Sequence, residues 1–205
     1  MIKAIKVVAV VMLIAQGGIS CKEKIEGQEH LQALEEAKGL RKTVTASGIS
    51  YTFRFSTAEA MAWKDSYDTE TKTVNKAQYE KRLEELKGFV YVLIDQKVAD
   101  RNISVLKYNS ASNAEYEERV KYYEFHAGSD IHMICNGMDY PPSSYQYENH
   151  LDLSPTNTMV AAFPVCDQEE DLQVIFNDRI MNNLLLKANF NKQDIEALTS
   201  LEINK

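Results

Sequence analysis

Glycine, proline and basic charge are all scarce in this 205-residue sequence, which has eight Gly, four Pro and 23 Lys or Arg against 30 Asp or Glu. The low Gly and Pro content excludes collagen-like and Gly/Pro-rich disordered chains. The net charge of −7 argues against binding to nucleic acid, because the field of the protein would repel it. A charged fraction of 26 % and a mean hydropathy of −0.37 exclude a polytopic membrane protein.

Apolar residues are nonetheless plentiful, at 44 % of the chain with eleven Tyr and seven Phe. This content is enough for one compact domain and argues against intrinsic disorder. The chain contains no internal repeat and no sign of a second domain. We therefore expect a signal peptide over residues 1–20, a charged tether over 21–40 and a single β-rich domain over 41–205.

The first twenty residues have the pattern of a secretory signal. Lys3 and Lys6 provide the positive start, Val7–Ala15 is an unbroken apolar run, and small or polar residues follow up to Ser20. The run is far shorter than the about 20 residues that a transmembrane helix needs, so a permanent transmembrane anchor is disfavoured. Removing this segment takes away two positive charges and makes the domain still more acidic.

The segment Gly18-Ile19-Ser20-Cys21 resembles the lipobox of bacterial lipoproteins. The resemblance implies attachment of diacylglycerol to the Cys21 sulfur, cleavage before Cys21 and acylation of the new N-terminus. Two or more acyl chains anchor a protein firmly in a lipid bilayer. Lys22 stands where an inner-membrane retention signal has Asp, which favours the outer membrane of the cell envelope. The alternative is an ordinary signal peptide with an incidental cysteine.

Cys135 and Cys166 remain once Cys21 is acylated. An even pair of cysteines in an oxidising compartment favours a disulfide. The alternative is two buried thiols that pack as small apolar groups.

Alternation and capping signals predict an α+β domain, mainly antiparallel β, sandwich-like or a meander, with two early helices and a short C-terminal helix. Ile49–Ser56 alternates apolar and polar residues as a strand with one wet face. Ser56 and Asn75 are predicted N-caps of the two early helices, and Gly88 ends the second. Asn136-Gly137 predicts a hairpin. The further predicted strands are Phe89–Ile94, Ile103–Tyr108, Arg119–His126, Ile131–Cys135, Met159–Phe163, Leu172–Phe176 and Leu184–Phe190, and the closing helix begins at Asn191.

Five tyrosines are concentrated in a short part of the sequence, beside Pro141-Pro142. A Tyr ring with its polar tip suits an exposed surface that stacks on a sugar, a peptide or a protein partner. The alternative is that these rings pack structurally on a sheet. The five candidate residues are Tyr122, Tyr123, Tyr140, Tyr145 and Tyr147.

No catalytic signature is found: the sequence lacks G-x-S-x-G, phosphate-loop, dinucleotide-binding, H-E-x-x-H and C-x-x-C patterns. We assign no catalytic residue, metal or cofactor. A weak metal candidate consists of acids and histidines without a defined spacing. Its members are His126, Asp130, His132, Glu148, His150 and Asp152. The acidic run over residues 167–171 is interpreted as a solvated loop, because it lacks the spacing and central Gly of a calcium loop.

These observations favour a non-catalytic envelope lipoprotein whose domain binds a protein or a glycan. One alternative is an envelope hydrolase that uses carboxylates and histidines such as Glu124, Glu148 and His150. A second alternative is a structural component of an envelope assembly.

Replacing the predicted lipidated cysteine tests the anchor. We expect Cys21→Ser to move the protein from the membrane fraction to the soluble fraction, because no acyl chain can then be attached. Cell fractionation and radiolabelled palmitate incorporation measure this, with the native protein as the reference. Retention of the Cys21→Ser protein in the membrane would exclude a lipid anchor at this residue.

Overall fold

The computed structural model describes residues 38–150, 153–167, 170–181 and 184–199. The predicted signal peptide, Cys21 and most of the predicted tether lie outside these residues, as does Asp152. Within the described residues, no helix combines the length and the apolar character needed to cross a membrane.

Two antiparallel sheets form the domain, which confirms the predicted α+β class. The first sheet has five strands in the order β1-β2-β5-β9-β8, and the second has four in the order β11-β10-β6-β7. A separate two-stranded ribbon pairs β3 with β4. The strands are β1 (Arg41–Ala46), β2 (Ile49–Thr57), β3 (Tyr67–Asp68), β4 (Thr73–Val74), β5 (Phe89–Val98), β6 (Ile131–Cys135), β7 (Met138–Tyr140), β8 (Ser144–Glu148), β9 (Asn157–Pro164), β10 (Leu172–Asp178) and β11 (Leu184–Phe190).

In the described part of the chain, four α-helices accompany the sheets: α1 (Ala58–Ser66), α2 (Lys76–Leu86), α3 (Asn113–Phe125) and α4 (Lys192–Thr199). Helices α1 and α2 cover the outer face of the first sheet through a cluster that includes Trp63 and Leu93. Helix α3 packs against the main core between the sheets. Short 3-10 turns lie at Lys38–Leu40, Val105–Lys107 and Ala127–Asp130.

The main core lies between the inner faces of the two sheets, and β1 lies against β11 along one side. Large apolar side chains from both sheets are fully buried there, which is the main stabilising contribution to such a sandwich. Among them are Phe53, Ile94, Met133, Met159, Phe163, Phe176 and Phe190.

The local capping and turn signals were mostly accurate. Asn75 caps α2 by accepting a hydrogen bond from the Gln78 amide at 3.1 Å, and Gly88 follows α2 with a φ of +87°. Asn136-Gly137 forms the β6–β7 turn. The cap of α1 is Thr57 rather than the predicted Ser56, because β2 continues through Thr57, whose hydroxyl accepts from the Ala60 amide.

Two of the predicted strands are wrong. The segment Arg119–His126 is the C-terminal part of α3 and its cap, although its Val, Tyr and Phe residues favour strands. The segment Ile103–Tyr108 holds the 3-10 turn Val105–Lys107. The two errors are connected, because Arg119 of α3 donates to the backbone carbonyls of Val105, Leu106 and Tyr108 and holds that segment against the helix.

The polar face of β2 is less exposed than predicted, since half of it is buried and Arg54 and Ser56 are half-buried. Ser50 and Thr52 are buried, and their hydroxyls pair with Thr45 and Thr43 of β1, each at 3.0 Å. β2 is an inner strand of its sheet, so hydroxyls on this face find cross-strand partners in place of water.

Cys135 and Cys166 form a disulfide in the structure. It connects β6 of the second sheet to the segment that follows β9 of the first sheet. The sequence separation of 31 residues corresponds to about 3–4 kcal/mol in the chain-entropy model of disulfide stabilisation.

Candidate binding surface

Helix α3 positions the residues that matter most for a binding site. Its N-terminus is fixed by a reciprocal cap: the Ser112 hydroxyl accepts from the Glu115 amide at 3.2 Å, and the Glu115 carboxylate accepts from the Ala111 amide at 2.8 Å. Buried Arg119 also donates to Glu115 one turn earlier. The start of the helix is therefore held by backbone and side-chain contacts together.

The five candidate tyrosines do not form an exposed surface. Tyr122 and Tyr123 of α3 are buried, while Tyr140, Tyr145 and Tyr147 are half-buried and pack against the main core. The Tyr147 ring stacks on the Tyr123 ring with centroids 5.4 Å apart. The prediction of an exposed stacking surface on these rings is thus corrected, because the inward face of α3 buries two of them and the strands β7 and β8 pack the other three against the core.

One of these tyrosines, Tyr123, and Tyr51 of β2 instead bind the carboxylate of Asp178, at the end of β10. The Oδ2 atom of Asp178 accepts hydrogen bonds from the hydroxyls of Tyr51 and Tyr123, both at 2.8 Å, and from Gln96 Nε2 at 3.2 Å. The Met181 amide donates to Oδ1 at 3.3 Å. Asp178 is 0 % exposed, so protein groups supply the hydrogen bonds that water would otherwise give.

A second buried carboxylate, that of Asp130, is bound by Tyr122, the residue before Tyr123. The Tyr122 hydroxyl donates to Asp130 at 3.0 Å and accepts from the Arg179 amide at 3.2 Å. The exposed Arg179 guanidinium forms an ion pair with Asp130, which is itself buried. Tyr145 of β8 donates to the backbone carbonyl of Tyr123 at 2.6 Å. These contacts fix the end of α3 from three directions.

Burial determines the protonation of this network. Burial, and secondly the adjacent Asp178 carboxylate, raises the pKa of Tyr51 and of Tyr123. Burial likewise raises the pKa of Tyr122 and Tyr145. The four hydroxyls therefore keep their protons at neutral pH and remain donors. Burial also raises the pKa of Asp178, against the opposing effect of its hydrogen bonds.

Phe125, at the end of α3, is exposed to 73 %. All eleven Tyr, all seven Phe and the single Trp lie within the described residues. Phe125 is the only one of them that is mostly exposed, and the others are buried or half-buried. Around the helix axis, Phe125 is turned by about 200° from inward-facing Tyr123, and it is the last residue of α3.

A second exposed apolar side chain belongs to a segment that is bonded to this helix end. Leu153 is 92 % exposed, and its amide donates to the His150 carbonyl at 2.8 Å. Asn149 in the same segment donates to the Glu124 carboxylate at 3.4 Å. We call Phe125, Leu153 and exposed Glu124 the α3-end surface.

The candidate hydrolytic residues do not line the depression that the structure shows beside α3. Glu124, Glu148 and His150 are exposed, and β8 ends at Glu148, so His150 lies beyond the strand. An open depression of about 650 Å³ lies instead at the N-terminal end of α3. Its lining residues are Lys107, Ser110, Ala111, Ser112, Asn113, Tyr116 and Glu117.

The weak metal candidate is likewise dispersed. Asp130 is bound to Tyr122 and Arg179, while His132 pairs with Asp139 at 2.8 Å across the β6–β7 hairpin. In the region that the structure describes, no group of three or more His, Cys, Asp or Glu is arranged to hold a metal ion.

Comparison with known proteins returned no matching protein family, no matching curated protein and no matching solved structure.

Two features of the site were missed from the sequence. Ser112 and Glu115 have the capping-box spacing, which would have identified the start of α3. The role of Asp178 has no comparable local signal, because its partners Tyr51 and Tyr123 are 127 and 55 residues away in sequence.

Removing one donor from Asp178 tests the buried network. We expect Tyr51→Phe to lower the free energy of unfolding by about 1.5–3 kcal/mol, because a buried carboxylate loses a hydrogen bond that water cannot replace. Urea denaturation measures this, with Tyr140→Phe at a half-buried ring outside the network as the matched control. Equal stability of the two variants would contradict the importance of the Tyr51 hydroxyl.

The raised pKa of Asp178 predicts a specific pH dependence. The folded state holds this proton more tightly than the unfolded state, whose pKa is near the ordinary 3.8. The contribution of Asp178 to stability is therefore greatest at acid pH and falls as pH rises through the folded-state pKa. We expect the unfolding free energy of the native protein minus that of Asp178→Asn to fall as pH rises above about 4. A difference that rises over this range would refute the raised pKa.

Proposed function

We propose that this protein is a lipoprotein of the bacterial cell envelope, anchored through acylated Cys21, whose domain binds a protein partner without catalysis. The observation that carries the binding role is the exposure of Phe125, the one Phe, Tyr or Trp side chain that is mostly exposed, while the others are buried or half-buried. Aromatic residues are enriched among the side chains that dominate the energy of protein interfaces.

The location rests on two independent features. The lipobox-like segment ending at Cys21 favours export and anchoring in a membrane, with the outer membrane favoured by Lys22. The disulfide between Cys135 and Cys166 is compatible with an oxidising extracytoplasmic compartment and would be unusual in the cytosol.

The α3-end surface also favours a particular chemistry of partner. Phe125 and Leu153 offer apolar contacts, and the exposed carboxylates of Glu124 and Glu148 belong to the same two segments. The chain has a net charge of −7, which the loss of residues 1–20 would make still more negative, and it therefore attracts cationic surfaces at long range. A partner with an apolar pocket bordered by Lys or Arg fits this combination.

A protein partner is favoured over a glycan by the burial of the other aromatic rings. Sugar recognition uses flat Tyr or Trp faces with polar tips, and here no Tyr is in the exposed class and Trp63 is buried. The hydrolase alternative lacks support of this kind, since Glu124, Glu148 and His150 are all exposed. A purely structural role in an envelope assembly would use the same surface with less selectivity.

The proposal is tested by photocrosslinking in intact cells. We expect a photoreactive benzoyl-phenylalanine at position 125 to capture a recurrent protein partner. The same group at Glu84, a 70 % exposed side chain on α2, is the matched control and should not capture it. Phe125→Ala should then weaken binding of that purified partner at least tenfold, as expected for a central interface residue.

Three results would count against this function. Capture of the same proteins from positions 125 and 84 would indicate collision rather than recognition. Capture of a glycan at position 125 would favour the alternative ligand class. Unchanged affinity of the Phe125→Ala variant would remove Phe125 from the interface.

A further inference from the structure

Two amide side chains are buried next to each other in the main core. Gln96 of β5 and Asn157 of β9 are directly opposite in the antiparallel pairing, and they are 0 % and 1 % exposed. Tyr51 of β2 is opposite Gln96 on the other side, so one row crosses three strands. Opposite residues in antiparallel strands project from the same face, which brings both amides to the side of the sheet that carries Tyr51.

The orientation of Gln96 is fixed by its partners. Its Nε2 atom donates to Asp178 Oδ2 at 3.2 Å and to the Tyr123 hydroxyl at 3.1 Å. The reversed amide would bring a carbonyl oxygen against the Asp178 carboxylate, where two acceptors repel each other. The Nε2 atom of Gln96 therefore faces Asp178, and the Oε1 atom faces away from it and still needs a hydrogen-bond donor.

Three buried polar atoms in this row lack a hydrogen-bond partner among the described residues. They are Gln96 Oε1, Asn157 Oδ1 and Asn157 Nδ2. Buried amide atoms in folded proteins are nearly always paired with protein groups or with ordered water. The three unpaired atoms belong to two neighbouring side chains, so one ligand between these side chains could bond to more than one of them.

The identity of that ligand follows from the available donors and acceptors. The row offers two carbonyl oxygens that need donors and one amide that needs an acceptor. A water molecule supplies both kinds of bond. A cation fits poorly, because the carboxylate oxygen that Gln96 contacts, Asp178 Oδ2, already accepts from Tyr51, Tyr123 and Gln96. An apolar ligand would leave all three atoms unpaired.

We propose that a buried water site bridges Gln96 Oε1 and the side-chain amide of Asn157 in the core of the domain. The water completes the hydrogen bonding of Gln96, and Gln96 in turn holds the Tyr123 hydroxyl and Asp178 Oδ2. Because Tyr123 belongs to α3, the site contributes to the orientation of that helix. This inference does not depend on the proposed partner.

Oxygen-17 magnetic relaxation dispersion on the purified protein tests the site by counting long-lived internal waters. We expect Asn157→Leu, which replaces the amide with an apolar group of similar volume, to remove at least one such water. Asn102→Leu, at an exposed loop residue, is the matched control and should leave the count unchanged. An unchanged count in a folded Asn157→Leu protein would overturn the proposal.

A crystal structure of the unmodified protein keeps the test independent of how that variant folds. We expect a water oxygen about 2.7–3.2 Å from both Gln96 Oε1 and an Asn157 amide atom. Amides bonded directly to each other or to other protein groups, with no water between them, would refute the site. Hydrogen exchange of α3 amides in Asn157→Leu should be faster than in the native protein if the bridge helps to orient the helix.

Discussion

The buried carboxylate of Asp178 is the constraint on which the arrangement of this domain depends. A fully buried carboxylate is tolerated only where hydrogen bonds replace its hydration, since leaving it unpaired costs several kcal/mol. The donors come from three separate parts of the fold: Tyr51 and Gln96 from the first sheet, Tyr123 from α3, and the Met181 backbone just after β10. One carboxylate therefore sets the relation between two sheets and a helix, whereas apolar packing alone would allow several registers.

The orientation of α3 is a direct consequence. Tyr123 can reach Asp178 only when its side of the helix faces the core, and Tyr122 reaches Asp130 from the neighbouring position. This rotation turns Phe125 outward. The exposed Phe125 ring thus stands at the end of a helix whose inner side is fixed by the buried acids Asp178 and Asp130. A side chain on such a rigid element loses little conformational entropy on binding, which favours its use as an interface anchor.

Local patterns in the sequence predicted those parts of the fold that depend on neighbours in the chain. The Asn75 cap, the Asn136-Gly137 turn and the strand Ile131–Cys135 each rest on a few consecutive residues. The misassigned helix α3 has a local signal as well, in Ser112 and Glu115, but the strand preference of its Val, Tyr and Phe residues pointed the other way. Intrinsic propensity is a weak guide wherever tertiary packing opposes it.

The candidate site could not be predicted in the same way, because it is built from long-range contacts. The clustering of tyrosines in the sequence marks part of the site. Whether such a tyrosine is buried depends on contacts such as the one between Tyr123 and Asp178, which are 55 residues apart in the sequence. In the sequence, a tyrosine whose hydroxyl donates a hydrogen bond to a buried acid looks the same as a tyrosine on the surface. Only burial separates the two cases: in the structure every Tyr is buried or half-buried, whereas Phe125 is exposed.

The charge of the chain and the exposure of Phe125 are compatible with the proposed role at a membrane surface. An acidic domain gains no electrostatic attachment to anionic lipid, so an anchor at Cys21 would have to hold it through acyl chains alone. Repulsion from the lipid then disfavours contact between the bilayer and a surface that carries Glu124 and Glu148. The exposed Phe125 ring would be left available to a cationic partner rather than buried in the membrane, and the same acidic charge that excludes lipid would accelerate the encounter with that partner.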